Sequence, residues 1–151
     1  MIRVLVVDDS SFMRSAITRT LTASGQFEVV GQAKDGRDAV ARVAELAPDV
    51  VSMDFNMPTM NGVDAVRAIM SATPTPIVMF SAHTREGAEE TLDALAAGAV
   101  DFVTKPAGEV SADLSKIQAE LCGKLAAAAR VRPTKPRPPA PRATTARPQI
   151  G

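Results

Sequence analysis

The sequence predicts a doubly wound α/β fold: a five-stranded parallel sheet in the order 2-1-3-4-5, with five helices. Three observations point to it. Short β-branched runs alternate with helical patterns over residues 1–125. The first and last helical segments each carry a single apolar stripe. Right-handed crossovers then place helices on both faces, and 2-1-3-4-5 is the common five-strand solution.

The elements follow in order. Arg3–Val7 reads as the first strand, and Met13, Ile17 and Leu21 mark the inward stripe of the helix after it. Phe27–Ala33 is the second strand, and Asp35-Gly36 reads as the turn and cap opening the second helix. Asp49–Asp54 is the third strand, and Asn61-Gly62 marks the loop entering the third helix. Ile77–Ser81 and Val100–Val103 are the fourth and fifth strands. The stripe Val110, Leu114, Ile117 and Leu121 marks the last helix. There is no internal repeat.

The core must be aliphatic, because the chain has five Phe and neither Trp nor Tyr. Met53, Met57, Met60, Met70 and Met79 fall in or beside these elements and read as gap fillers. The poverty in aromatics argues against base stacking on nucleic acid. A single cysteine, Cys122, excludes an internal disulfide and reads as an unreactive helical thiol. No apolar run approaches the roughly 18 residues of a membrane span, and Asp8 and Asp9 interrupt the apolar start, so a cytoplasmic location is expected.

The zero net charge hides an asymmetry. Residues 1–129 hold 17 acids and 11 bases, whereas residues 130–151 hold six bases and no acid. Six of the eleven prolines lie in that last stretch, so residues 126–151 read as a Pro/Arg-rich linker or tail. Such a linker suggests a piece of a longer protein or a domain with a natural tail; dispersed charges of this kind mostly keep a linker solvated.

Chemistry concentrates at the carboxyl ends of the strands. In doubly wound sheets the ligand site lies there, at the switch point between strands 1 and 3. Asp8 and Asp9 end the first strand and Asp54 ends the third. Three converging carboxylates repel one another, and their natural complement is a hard divalent cation such as Mg²⁺. Beside such an ion Asp54 is the best-placed nucleophile toward a phosphoryl donor. Ser81 offers a hydroxyl to a phosphoryl oxygen and Lys105 an ammonium. Pro106 can hold a tight turn, by a cis peptide, that aims Lys105 into the site.

Other functions fit less well. A flavin-binding module needs a phosphate loop after strand 1, where two acids repel phosphate. A phosphohydrolase with an Asp nucleophile wants a second acid two residues on, where Asn56 stands.

Over roughly residues 1–122 the chain resembles the receiver domains of two-component response regulators. The matching segments are Val4-Leu5-Val6-Val7-Asp8-Asp9-Ser10, Asp54-Phe55-Asn56-Met57-Pro58, Asn61-Gly62, Ser81-Ala82, Gly98-Ala99 and Asp101-Phe102-Val103-Thr104-Lys105-Pro106. The resemblance implies that Asp54 is the phosphoacceptor, that Asp8, Asp9, Asp54 and the backbone carbonyl of Asn56 hold Mg²⁺, and that Lys105 binds the phosphoryl group. It further implies that Ser81 is the switch hydroxyl and Phe102 the switch aromatic. A sensor histidine kinase, not His83 of this chain, would be the phosphodonor.

Thr91-Leu92, Ala94-Leu95 and the segments that follow, with Asp9-Ser10 and Met13-Arg14, look like the regulatory domain of chemotaxis protein-glutamate methylesterases. There a receiver precedes a linker and an esterase domain acting on chemoreceptor glutamates. No serine hydrolase motif stands in these 151 residues, so no esterase activity is assigned to them. A receiver driving a DNA-binding output, or none, is the alternative. His83 reads as an exposed loop residue near the mouth of the site.

Overall fold

The computed structural model describes residues 1–81, 85–105 and 117–131. Strands and helices alternate along the chain: β1 (Ile2–Val7), α1 (Ser11–Ala23), β2 (Phe27–Ala33), α2 (Gly36–Leu46), β3 (Val50–Asp54), α3 (Gly62–Ala72), β4 (Ile77–Ser81), α4 (Arg85–Ala97), β5 (Asp101–Thr104) and α5 (Gln118–Ala128). The sheet order is β2-β1-β3-β4-β5 and all four pairings are parallel, as the alternation predicts.

The two-residue period of the strands divides the core. Val4, Val6, Val50, Val78, Phe80 and Val103 point to one face, where Ile17 and Leu21 of α1 and Leu121 and Leu125 of α5 cover them. Leu5, Val7, Val51, Met53, Ile77 and Met79 point to the other, against Val43, Val66, Ile69, Met70 and Ala94 of α2, α3 and α4. Each large aliphatic side chain buried this way contributes about 2 kcal/mol of transfer free energy. Met53, Met70 and Met79 are fully buried, Met57 sits at the core margin and Met60 packs against it, so these five methionines are core fillers.

Short polar side chains start the first three helices. Ser10 accepts a hydrogen bond from the Met13 N–H, Asp35 from that of Asp38, and Asn61 from that of Asp64. The Asp35 and Asn61 turns are those expected.

Several boundaries differ from expectation. β3 starts at Val50 instead of Asp49, whose carboxylate and N–H close a bridge to the Arg3 backbone at 2.8 Å each. β5 is shifted by one residue, because Thr104 pairs with Ser81 while the Val100 N–H donates to Ile77 before the ladder begins. α5 runs to Ala128, which is buried in the core, so the folded part passes the expected boundary at 125. Ile117 and Leu121 pack inward as expected. Val110 and Leu114, His83, Pro106 and the chain from 132 onward lie outside the described residues. Cys122 is buried in α5, and burial pushes its thiol up against an opposing hydrogen bond from Ser24, so it stays protonated at neutral pH.

Candidate functional site

β1 and β3 are parallel neighbours with Val7 opposite Met53. The next residue on each, Asp8 and Asp54, therefore emerges side by side at the carboxyl edge. Asp8 and Asp54 are buried and Asp9 is exposed, with one carboxylate oxygen of each lying within 4.8 Å of the others. The acidic cluster read from the sequence is thus assembled in space.

The partners of these carboxylates are unequal. Asp8 Oδ1 accepts from the Ser10 N–H at 3.0 Å, while Asp8 Oδ2 is buried and has no hydrogen-bond partner among the described residues. Asp54 Oδ1 faces Lys105 Nζ at 3.1 Å. Burial first, then the charge of Asp54, pushes the Asp8 carboxyl up to about 6. Burial also pushes Asp54 up, and Lys105 opposes it. A buried, orphaned carboxylate oxygen among acids is an arrangement that a hard cation satisfies, and oxygen ligands alone suit Mg²⁺. The donor set fits.

Backbone geometry holds the two sides together. The Lys105 N–H donates to Ser81 O at 2.7 Å, and Lys105 Nζ lies 5.6 Å from the centre of the Phe80 ring. The Arg14 guanidinium donates to the Asp8 carbonyl at 2.7 Å, tying α1 to the end of β1. The Gly62 N–H donates to Phe55 O at 2.9 Å, and a Cβ on Gly62 would lie 2.5 Å from Asp54 O. Only glycine lets the start of α3 approach the Asp54 backbone so closely.

Asn56 is exposed in the β3–α3 loop. Ser81 is buried at the end of β4, and its hydroxyl lies against α4 rather than on Asp54: Thr91 Oγ1 is 3.0 Å away and Gly87 O 3.2 Å. Phe102 is half-buried on β5, packed against the α2–α4 side of the core. Lys124 Nζ sits 5.1 Å from its ring centre and donates to its carbonyl at 2.8 Å.

Thus Asp8, Asp9, Asp54 and Lys105 come together, whereas Ser81 and Phe102 stand beside the site. The sequence reading missed the contacts of Thr91, Lys124, Phe80 and Arg14. The contacts of Thr91, Lys124 and Arg14 depend on how a helix is rotated about its axis, and that of Phe80 on where the Lys105 side chain lies beyond β5, which only packing decides.

This sheet, with three acids and a lysine at its switch point, defines a signalling module of one class. The chain belongs to the response regulator receiver domain family, whose model matches residues 4–115. Within that family it is similar to receivers carried by protein-glutamate methylesterases. The protein-glutamate methylesterase/protein-glutamine glutaminase of Symbiobacterium thermophilum is 52% identical over 132 residues, which cover 87% of this chain and 36% of that protein. The response regulator domain of Thermotoga maritima CheB superposes with a TM-score of 0.82 at 47% identity, covering 88% of this chain and 99% of that one. CheY of Borrelia burgdorferi, solved in a complex with CheX, BeF₃ and Mg²⁺, superposes at 0.65 with 29% identity, over 80% and 87% of the two chains. The chain spans little more than a third of the length of the curated relatives it matches. Among the described residues, no helix is long and apolar enough to cross a membrane.

Proposed function

We propose that Asp54 accepts a phosphoryl group from a sensor histidine kinase of the chemotaxis type, and that the phosphorylated receiver controls a methylesterase output domain in the whole protein. The observation that carries this reading is the pairing of a buried, orphaned Asp8 oxygen with an Asp54 carboxylate already faced by Lys105. Asp8, Asp9, Asp54 and the backbone carbonyl of Asn56 hold Mg²⁺, which neutralises charge on the phosphoryl oxygens and on the acid cluster when bound. The Borrelia relative, solved with BeF₃ and Mg²⁺, supports that assignment.

An Asp54 oxygen attacks the phosphorus of a phosphohistidine, an acyl phosphate forms, and the P–N bond breaks with its electron pair leaving on the imidazole. Lys105 moves from pairing the free carboxylate to pairing the phosphoryl oxygens. Ser81 supplies a hydroxyl to the same group and Phe102 turns inward as the hydroxyl moves. These two residues change the face of α4, β5 and α5, where Leu92 is a large apolar side chain left 68% exposed. That face docks the output domain or another partner. The receiver spans the chain through the end of α5 at Ala128, and the Pro/Arg-rich stretch beyond it serves as the linker. The protein acts in the cytoplasm.

Incubation with acetyl phosphate and Mg²⁺ tests the reading. Intact mass is expected to rise by one phosphoryl group in the wild type and not in Asp54→Asn or with excess chelator. An unchanged mass in the folded wild type would refute it.

A further inference from the structure

Three oxygens meet behind the site. Thr91 Oγ1 lies 2.7 Å from Gly87 O and 3.0 Å from Ser81 Oγ, and Ser81 Oγ lies 3.2 Å from the same Gly87 carbonyl. Ser81 and Thr91 are 3% and 4% exposed, so water has little access to either. Each hydroxyl has one proton, and the two protons serve at least these three close contacts. Any state in which Ser81 donates to a phosphoryl oxygen on Asp54 withdraws its proton from this triangle.

We propose that Thr91 is the positioning residue for Ser81: its hydroxyl holds the Ser81 side chain against α4 in the unphosphorylated protein, and Ser81 leaves it to reach the phosphoryl group. The inference rests on Ser81 acting in the switch as described above. Its physical content is a coupling. Ser81 ends β4, where its carbonyl also anchors the Lys105 N–H, so the strand end stays fixed while the hydroxyl moves. Thr91 sits in the middle of α4, on the side buried against the sheet with Ala94. Releasing Ser81 from Thr91 therefore removes a tie between the site and α4, the helix that carries Leu92 on its open side. The Gly87 carbonyl does not depend on Thr91 Oγ1, because the helical N–H of Thr91 also serves it. A variant lacking the hydroxyl thus leaves no helix carbonyl stranded.

Thr91→Val keeps the volume and removes the oxygen. With the Thr91 contact gone and the longer one to Gly87 O kept, Ser81 is held less firmly against α4. The protein is then expected to bind beryllofluoride, a phosphoryl mimic, several-fold more tightly in the presence of Mg²⁺. Amide NMR titration measures this on the full chain and also reads the Ser81 and Gly87 signals of the metal-free protein, which shift in Thr91→Val. Thr91→Ser restores the hydroxyl and is expected to return affinity and signals to wild type, and it serves if the valine variant folds poorly. In a Ser81→Ala background Thr91→Val is expected to add nothing. Unchanged or weaker binding by Thr91→Val, or an equal effect with and without Ser81, overturns the proposal while leaving the receiver reading intact. Failure of the wild type to bind beryllofluoride overturns the receiver reading, and the role of Thr91 in it falls as well.

Discussion

Lys105 Nζ lies 3.1 Å from Asp54 Oδ1, joining the ends of β5 and β3 across the intervening β4. The ammonium opposes the upward push that burial gives the Asp54 carboxyl, favouring its charged form. Lys105→Met is expected to move the Asp54 carboxyl further up, seen by carbon NMR of the side chain. It should also slow phosphoryl transfer by about 100- to 1000-fold, as loss of one preorganised charge-stabilising group does.

Asp8 makes stability and metal affinity depend on pH in a defined direction. Its folded carboxyl titrates near 6 against an ordinary 3.8, so between those values the native state binds more protons than the unfolded chain. Stability without metal therefore falls as pH rises from about 4 to 6, by about 2 kcal/mol after allowing for solvent screening. Mg²⁺ needs the ionised form, so its affinity falls as pH drops below 6. Melting temperatures with and without Mg²⁺ at pH 5 and 7.5 check both signs. Asp8→Asn is expected to melt higher than the wild type without metal and to lose its response to Mg²⁺.

Lys124 holds Phe102 by its ring and by its carbonyl, while pairing with Glu120 at 2.9 Å. Lys124→Met removes the cation and keeps most of the stem. A loss of about 1 kcal/mol in urea unfolding is expected, along with faster exchange of the Phe102 ring between positions in fluorine NMR. A ring signal unchanged in rate would separate Lys124 from the switch.

Gly62→Ala places a methyl group 2.5 Å from Asp54 O and 2.9 Å from Phe55 Cα, where both neighbours are backbone. The start of α3 must then back away, at a cost of about 2 kcal/mol in chemical denaturation. Because the displaced carbonyl belongs to Asp54, phosphorylation is expected to fall along with stability.

Much of this was legible in the chain. Asp8, Asp54 and Lys105 could be placed together because a parallel strand fixes its carboxyl end, and the order of five strands fixes which ends are neighbours. The caps Asp35 and Asn61 were legible for a local reason: each bonds an N–H three residues away. The hydroxyl of Thr91 was not, since it is ten residues from Ser81 and meets it only because Ala94 and its neighbours set the rotation of α4. Lys124 reached Phe102 for the same reason, with Leu121 and Leu125 setting α5. The one-residue shift of β5 turned on a single backbone bond at Val100, which no side-chain pattern encodes.

The most direct test transfers phosphoryl from a phosphorylated chemotaxis histidine kinase to the chain in Mg²⁺, followed by borohydride reduction and peptide mapping. An acyl phosphate at Asp54 is reduced to homoserine, so homoserine is expected at position 54 and at no other acid. Homoserine at another position, or none after verified loss of phosphoryl from the kinase, would contradict it.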